Sequence, residues 1–309
     1  MSLIRKSTYQ LLNTSIRSRY PLSVQLRKFN SIGTKSSYSK YDTNPNRFSE
    51  NSSNVLNSES AAAPLLSHGG LIISRKLEVL SVFAGIEQAN RYELCDLNGN
   101  LVGYMLEEAS LLGTLMRQVF RTHRPFKVTV FSTQMMPLLT VYRHFSLINS
   151  KVYVEDMGSN LVGEVHQEWH IYKRRYNLFD SNHVQFGRIS SGFLSWHFEV
   201  RDITGKAISS IGRNFIGLAR ELFTDMGKYV LRMDPSYLVA ERSSSIVNPY
   251  NQQQQQQYWY PSSDQLVDAC EMTGVSTRLL TYDERAVLLA NAISIDFDYF
   301  SRSSSPVHF

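Results

Sequence analysis

Apolar and polar residues alternate in short runs through the middle of the chain, and the runs stop at turn signals. Residues 92–103 alternate, break at Asp96, Asn98 and Gly99, and alternate again. Residues 153–163 do the same around Asp156 and Gly158, and residues 198–208 around Asp202 and Gly205. Strand, Asp/Gly turn, strand is the pattern of a β-hairpin. Residues 126–131 and 138–142 form a further predicted pair, with more strand expected at 186–189 and 193–200. Many short strands at near-regular spacing predict a sandwich or a closed barrel. Two stretches change period. Residues 107–120 place Leu111, Leu112, Leu115, Met116 and Val119 at helical spacing, with Glu107 and Glu108 expected in the first turn. Residues 214–223 repeat the pattern with Phe215, Leu218, Leu222 and Phe223.

The last periodic element departs from amphipathicity altogether. Thr281 and Glu284 have capping-box spacing. The residues that follow, Ala286 to Ile295 with Leu288, Leu289, Ile293 and one interruption at Asn291, are apolar on nearly every face. A helix of this kind must be surrounded. It is too short to span a bilayer comfortably, and Asp296 and Asp298 are costly in hydrocarbon. The better container is protein, which predicts an all-β dominated fold: a closed barrel of strands enclosing a C-terminal apolar helix. Asn291 is then expected to hydrogen-bond inside the barrel.

Charge is unevenly placed. The chain of 309 residues carries a net charge of +5, but residues 1–41 hold eight bases and no acid. The remainder has 24 bases against 27 acids. The basic, Ser-rich, acid-free segment 1–41 has the character of a mitochondrial targeting peptide, with a disordered basic arm as the alternative. Residues 42–66 read as a disordered linker, 67–302 as the barrel domain, and about 241–265, with Gln252 to Gln257, as a low-complexity insertion. Two cysteines, Cys95 and Cys270, do not make a disulfide framework.

Several stretches carry the likeness to a known family. They are 80–87 with 90–93, the Arg124-Pro-Phe126 strand start, 163–170, 216–225 and 292–300. These resemble the phospholipid scramblase family, whose fold is similar to the tubby-like barrel, and they are most similar to its fungal mitochondrial branch. The resemblance implies about twelve strands around the C-terminal helix. It also implies passive, ATP-independent movement of phospholipids between leaflets in a mitochondrial membrane. The plasma membrane is the family's other address. The alternative function is an anionic-lipid or phosphoinositide-binding scaffold that moves nothing.

The family's cysteine cluster is missing, and its calcium segment is degenerate: Asp225 and Asp234 remain, but Gly227 and Lys228 stand where oxygen ligands are expected. No cofactor is expected beyond that weak calcium candidate. His166 and His170 lack the metalloprotease order and are read as structural. No phosphate-cradling loop, nucleophile elbow or metal-binding cysteine pair is present in the sequence, so no enzyme is expected.

The candidate lipid-headgroup residues are Arg117, Arg121, Arg124 and Lys127, from a stretch 109–154 without an acid, and Lys173, Arg174 and Arg175 beside Trp169, Tyr172 and Tyr176. Cations interleaved with aromatics suit an anionic bilayer surface, and cardiolipin in particular, rather than nucleic acid.

Overall fold

The computed structural model describes residues 54–76, 82–83, 86–108, 125–213, 228–246 and 263–300. The 107–120 helix beyond Glu108, the 214–223 helix and the targeting segment 1–41 lie outside the described residues. The strands are β1 (Gly70–Lys76), β2 (Val82–Phe83), β3 (Ile86–Asp96), β4 (Leu101–Glu108), β5 (Phe126–Ser132), β6 (Pro137–Arg143) and β7 (Lys151–Asp156). They continue with β8 (Leu161–Glu168), β9 (Lys173–Asp180), β10 (Gln185–Gly192), β11 (His197–Arg201), β12 (Ala207–Gly212) and β13 (Lys228–Arg232). From β3 to β13 each strand pairs antiparallel with its sequence neighbour. β1 pairs with β13 on one side and β3 on the other, so β1 and β3–β13 close a twelve-stranded ring. The short β2 adds only a hairpin to the start of β3. Closure removes the exposed strand edges that an open sheet of this length would present.

The meander sorts its connections to two ends. Every odd-to-even turn from β3–β4 to β11–β12 lies at one end, and all five are built alike. The first residue (Asp96, Ser132, Asp156, Asp180 or Asp202) accepts hydrogen bonds on its side-chain oxygen from the N–H four residues on, at 2.8–3.2 Å. The fourth residue has positive φ: Gly99, Met135, Ser159, His183 and Gly205. Small-residue and Asx-type chemistry thus fixes both the reversal and the strand register.

Helix α1 (Ala63–Leu66) sits at this turn end. Helices α2 (Pro235–Ile246) and α3 (Ser263–Thr273) pack together, α2 against β12. Helix α4 (Tyr282–Ile295) then enters the barrel from the turn end and continues as a π-helical turn over Asp296–Phe300. Thr281 and Glu284 make the expected capping box, and every residue from Asp283 to Ile295 is buried. Leu288, Leu289, Asn291, Ile293 and Ile295 are fully enclosed, and Asp296 nearly so. Each large apolar side chain so buried contributes about 1.5–3 kcal/mol.

Four expectations are corrected. Glu107 and Glu108 end strand β4 instead of opening a helix, because Gly103, Met105 and Glu107 keep the period of two on one buried face, with Met105 in the core. Residues 193–196 form a loop, and β11 begins only at His197. Residues 54–66, assigned to the linker, fold against the turn end. Val55 and Leu56 donate their N–H groups to the Asp283 carboxylate at 2.9 and 2.7 Å, while Leu56, Leu65 and Leu66 are buried. Burial pushes the Asp283 carboxyl above its ordinary value, opposed by those two N–H donors. Finally, neither amide atom of Asn291 has a hydrogen-bond partner among the described residues, nor has the Ser294 hydroxyl. Replacing Asn291 with Leu is therefore expected to raise the unfolding free energy by about 1–3 kcal/mol, since it removes an unsatisfied buried amide. Urea denaturation checks this, and a loss of stability would show that the amide has a partner.

Candidate lipid-facing rim

The even-to-odd connections lie at the end opposite the five tight turns. Among the described residues they are the loops 144–150, 169–172 and 193–196, and all three expose large apolar side chains. Phe145, Leu147 and Ile148 stand out on the first, Trp169, Ile171 and Tyr172 on the second, and Phe193, Leu194 and Trp196 on the third. Leu194 is 82% exposed and Tyr172 75%. A contiguous display of this kind is unusual for a surface that faces only water.

Cations flank the loops. Lys151 opens β7 and Lys173 opens β9, both exposed, with Arg175 half-buried two residues further along β9. Lys127, second in β5, lies at the same end and pairs with Glu108 at 2.8 Å. The structure therefore brings four candidates, Lys127, Lys173, Arg174 and Arg175, to one rim; Arg117, Arg121 and Arg124 lie outside the described residues.

Arg174 has a different job from its neighbours. Its guanidinium lies 3.6 Å from the Tyr299 ring centroid, also faces Phe193 and Phe198, and donates to the Ser195 carbonyl at 3.2 Å. It ties the 193–196 loop to the end of the core helix. Arg213, just past β12, does the same: its guanidinium lies 4.9 Å from the Trp196 ring and 5.0 Å from the Phe300 ring, which stack on each other, and it donates to the Phe300 carbonyl at 3.3 Å. The 193–196 loop is thus anchored through cation–π contacts to the π-helical turn.

Beneath the loops the floor of the rim is polar and buried. Arg143 at the end of β6 donates to both carboxylate oxygens of Asp298, at 3.0 and 3.2 Å. Tyr176 approaches Asp298 at 3.4 Å, and Tyr92 donates to Asp296 at 2.7 Å. Burial, then the adjacent carboxylate, holds both phenols well above their usual range, so they act here as hydrogen-bond donors. Asp296 and Asp298, singled out at the end of the apolar run, are held by these partners.

Of the calcium segment, the part from Lys228 on lies among the described residues. Residues 228–232 form strand β13, buried in the wall, and the Asp234 carboxylate receives the guanidinium of Arg285 at 2.6 Å. Asp225 lies outside the described residues. Among the described residues no group of three or more His, Cys, Asp or Glu is placed to hold a metal. His166 bonds Glu164 at 2.5 Å on the wall, and His170 accepts from the Tyr172 and Lys173 N–H groups, which shapes the 169–172 loop.

Sequence reasoning missed the loops 144–150 and 193–196. The signal was present: the adjacent apolar pairs Leu147-Ile148 and Phe193-Leu194, which break the alternation that a strand with one wet face requires.

The matching family model is Scramblase, over residues 49–302. The chain is 40% identical over 285 residues to "Altered inheritance rate of mitochondria protein 25" of Saccharomyces cerevisiae, covering 83% of this chain and 79% of the relative. It is 41% identical over 255 residues to a phospholipid scramblase family protein of Schizosaccharomyces pombe, covering 79% of this chain and 62% of that one. Phospholipid scramblase 2 of Bos taurus is 24% identical over 173 residues, 52% of this chain and 58% of its own. No solved structure matches.

Proposed function

The chain belongs to the scramblase family, and from that premise we propose that it moves phospholipids passively between the leaflets of a mitochondrial membrane. The observation that carries the lipid-handling part is the rim: exposed aromatics and aliphatics, flanked by Lys151, Lys173 and Arg175, above a polar floor. A phospholipid headgroup must cross about 30 Å of hydrocarbon to change leaflet. A protein surface that pairs cations and hydroxyls with apolar side chains offers both ends of the lipid a partner, which lowers that barrier without an energy source. Cardiolipin, with two phosphates, is the lipid class that best suits the flanking cations. The mitochondrial address rests on the basic, acid-free segment 1–41 and on the printed name of the yeast relative. The plasma membrane is the other address to test, with a reporter carrying residues 1–41.

A second reading is favoured by one observation: α4 fills the barrel, so the interior is core and not a conduit. On that reading the protein binds anionic lipid as a scaffold and transports nothing. Reconstitution into cardiolipin-containing vesicles with a fluorescent phospholipid separates the two. The transport reading expects more than half of the fluorescence to become accessible to an impermeant quencher without ATP. Accessibility confined to the outer leaflet, with the protein bound, supports the scaffold.

The cations have their own expected effect. Lys173→Gln and Arg175→Gln should each weaken binding to cardiolipin vesicles by about fivefold at low salt, near 1 kcal/mol per cation, and by less as salt is raised. Vesicle co-sedimentation measures it, and unchanged binding of the double variant would move the headgroup contacts elsewhere.

A further inference from the structure

The geometry points to an end-on membrane contact. The three loops 144–150, 169–172 and 193–196 enter the headgroup boundary of an anionic bilayer together, and the α4 axis stands close to the membrane normal. This rests on the lipid-handling reading above and adds a depth, an orientation and a set of inserted side chains to it.

Three observations carry it. First, the apolar side chains exposed on these loops come from three connections separated by two strands each, yet the meander gathers them at one end. Second, the two ends differ in sign. Lys151, Lys173 and Arg175 stand at the loop end, while the turn end presents Asp96, Asp156, Asp180 and Asp202 as the first residues of four of its five turns. A molecule with this axial asymmetry orients in the field of a negative surface with its basic end inward. Third, the wall is unsuited to deeper entry. Outward positions along the strands beyond the rim carry Arg188 and Arg201, both exposed, the reverse of the apolar outer band of a membrane-spanning barrel. No helix among the described residues is long and apolar enough to cross a membrane. Insertion therefore stops where the loops end.

The composition of the loop tips suits that depth. Trp169, Tyr172 and Trp196 are the residue types that settle at the hydrocarbon–headgroup boundary, and Leu147, Ile148, Ile171 and Leu194 are fit for the first acyl carbons. The anchoring of Trp196 and Phe193 through Arg213 and Arg174 means that the third loop needs little ordering on binding.

The test uses the full-length chain with Trp259→Phe, leaving Trp169 and Trp196 as reporters, and vesicles of phosphatidylcholine and cardiolipin with bromine at the upper acyl carbons. Flotation first establishes binding. The expected result is loss of most Trp169 and Trp196 emission on brominated vesicles. A second protein with Trp169→Phe, Trp196→Phe, Trp259→Phe and a reporter at the opposite end, Asn98→Trp, should keep its emission. The exposed-tip variant Leu147→Ser/Tyr172→Ser/Leu194→Ser should fold as the parent does by circular dichroism and lose about tenfold in partitioning for each loop altered. Binding with both natural reporters unquenched, or with the Asn98→Trp reporter quenched instead, overturns the orientation and leaves the lipid reading standing. Absence of flotation removes the lipid reading itself. A parent protein that self-associates, with a tip variant that is monomeric and binds vesicles as well as the parent, makes the rim a contact between copies and also overturns the proposal.

Discussion

Arg143→Met is expected to lower the unfolding free energy by about 3–5 kcal/mol, the cost of stranding one charge of a buried pair. The side chains of Arg143 and Asp298 are 0% and 2% exposed. Asp298 lies past the end of α4, so the pair joins the barrel wall to the core element across 155 residues of sequence. With the guanidinium gone, Tyr176 at 3.4 Å is the weak donor left near Asp298. The Arg143 guanidinium also covers the Phe126 ring at 4.9 Å, and that ring stacks on Phe297 at 4.6 Å, so the substitution loosens the aromatic packing at the floor of the rim as well. The double variant Arg143→Met/Asp298→Leu removes both charges, and most of the loss should be recovered, because apolar replacement of a whole buried pair is often close to neutral. Urea denaturation of the two single variants and the double variant completes the cycle. A single variant that loses less than about 1 kcal/mol would mean that α4's end is held by its apolar packing alone.

The same pair shows what the sequence can and cannot disclose. Asp296 and Asp298 stand out in the chain because they interrupt an apolar run, and that alone argues for partners. The partner itself, Arg143, is one base among several in an acid-free stretch, and nothing local marks it as buried. The hairpins divide in the same way. Turns at Gly99 and Gly205 are legible because glycine advertises positive φ, whereas Met135 and His183 adopt it too, held by the Ser132 and Asp180 side chains. The enclosed helix was readable from periodicity because an apolar circumference has few physical solutions. The rim was only half readable. Its cations and the aromatic-interleaved segment 169–176 were visible, but residues 193–196 carry strand-favouring side chains, and only the barrel's topology turns them outward into a loop. The plug formed by residues 54–66 was hidden by composition: Asn, Ser and Ala give no period, and its order comes from contacts with Asp283, more than 200 residues away.

Gly163→Leu is expected to abolish cooperative folding, and Gly163→Ala to cost about 1–3 kcal/mol or more. Gly163 lies in β8, between Val154 of β7 and Asp180 of β9, on the face toward α4. A Cβ there would stand 2.5 Å from Cγ2 of Val287 and 2.5 Å from the carbonyl oxygen of Phe179. The second contact is backbone of the neighbouring strand and cannot swing aside. The first is the core helix, which is enclosed on every side and has no free direction in which to shift. Any side chain at this position must therefore bend the wall or displace the helix. Gly192→Ala, where nothing lies within 4 Å, is the matched control and should change stability by no more than about 0.5 kcal/mol. Val287→Ala alone should destabilise by opening a cavity. Combined with Gly163→Ala, however, it should cost less than the two single losses together, because the missing methyl groups leave room for the new one. Strict additivity would place Val287 away from β8. It would remove the direct helix-to-wall contact on which the enclosed architecture, and with it the position of the rim, depends.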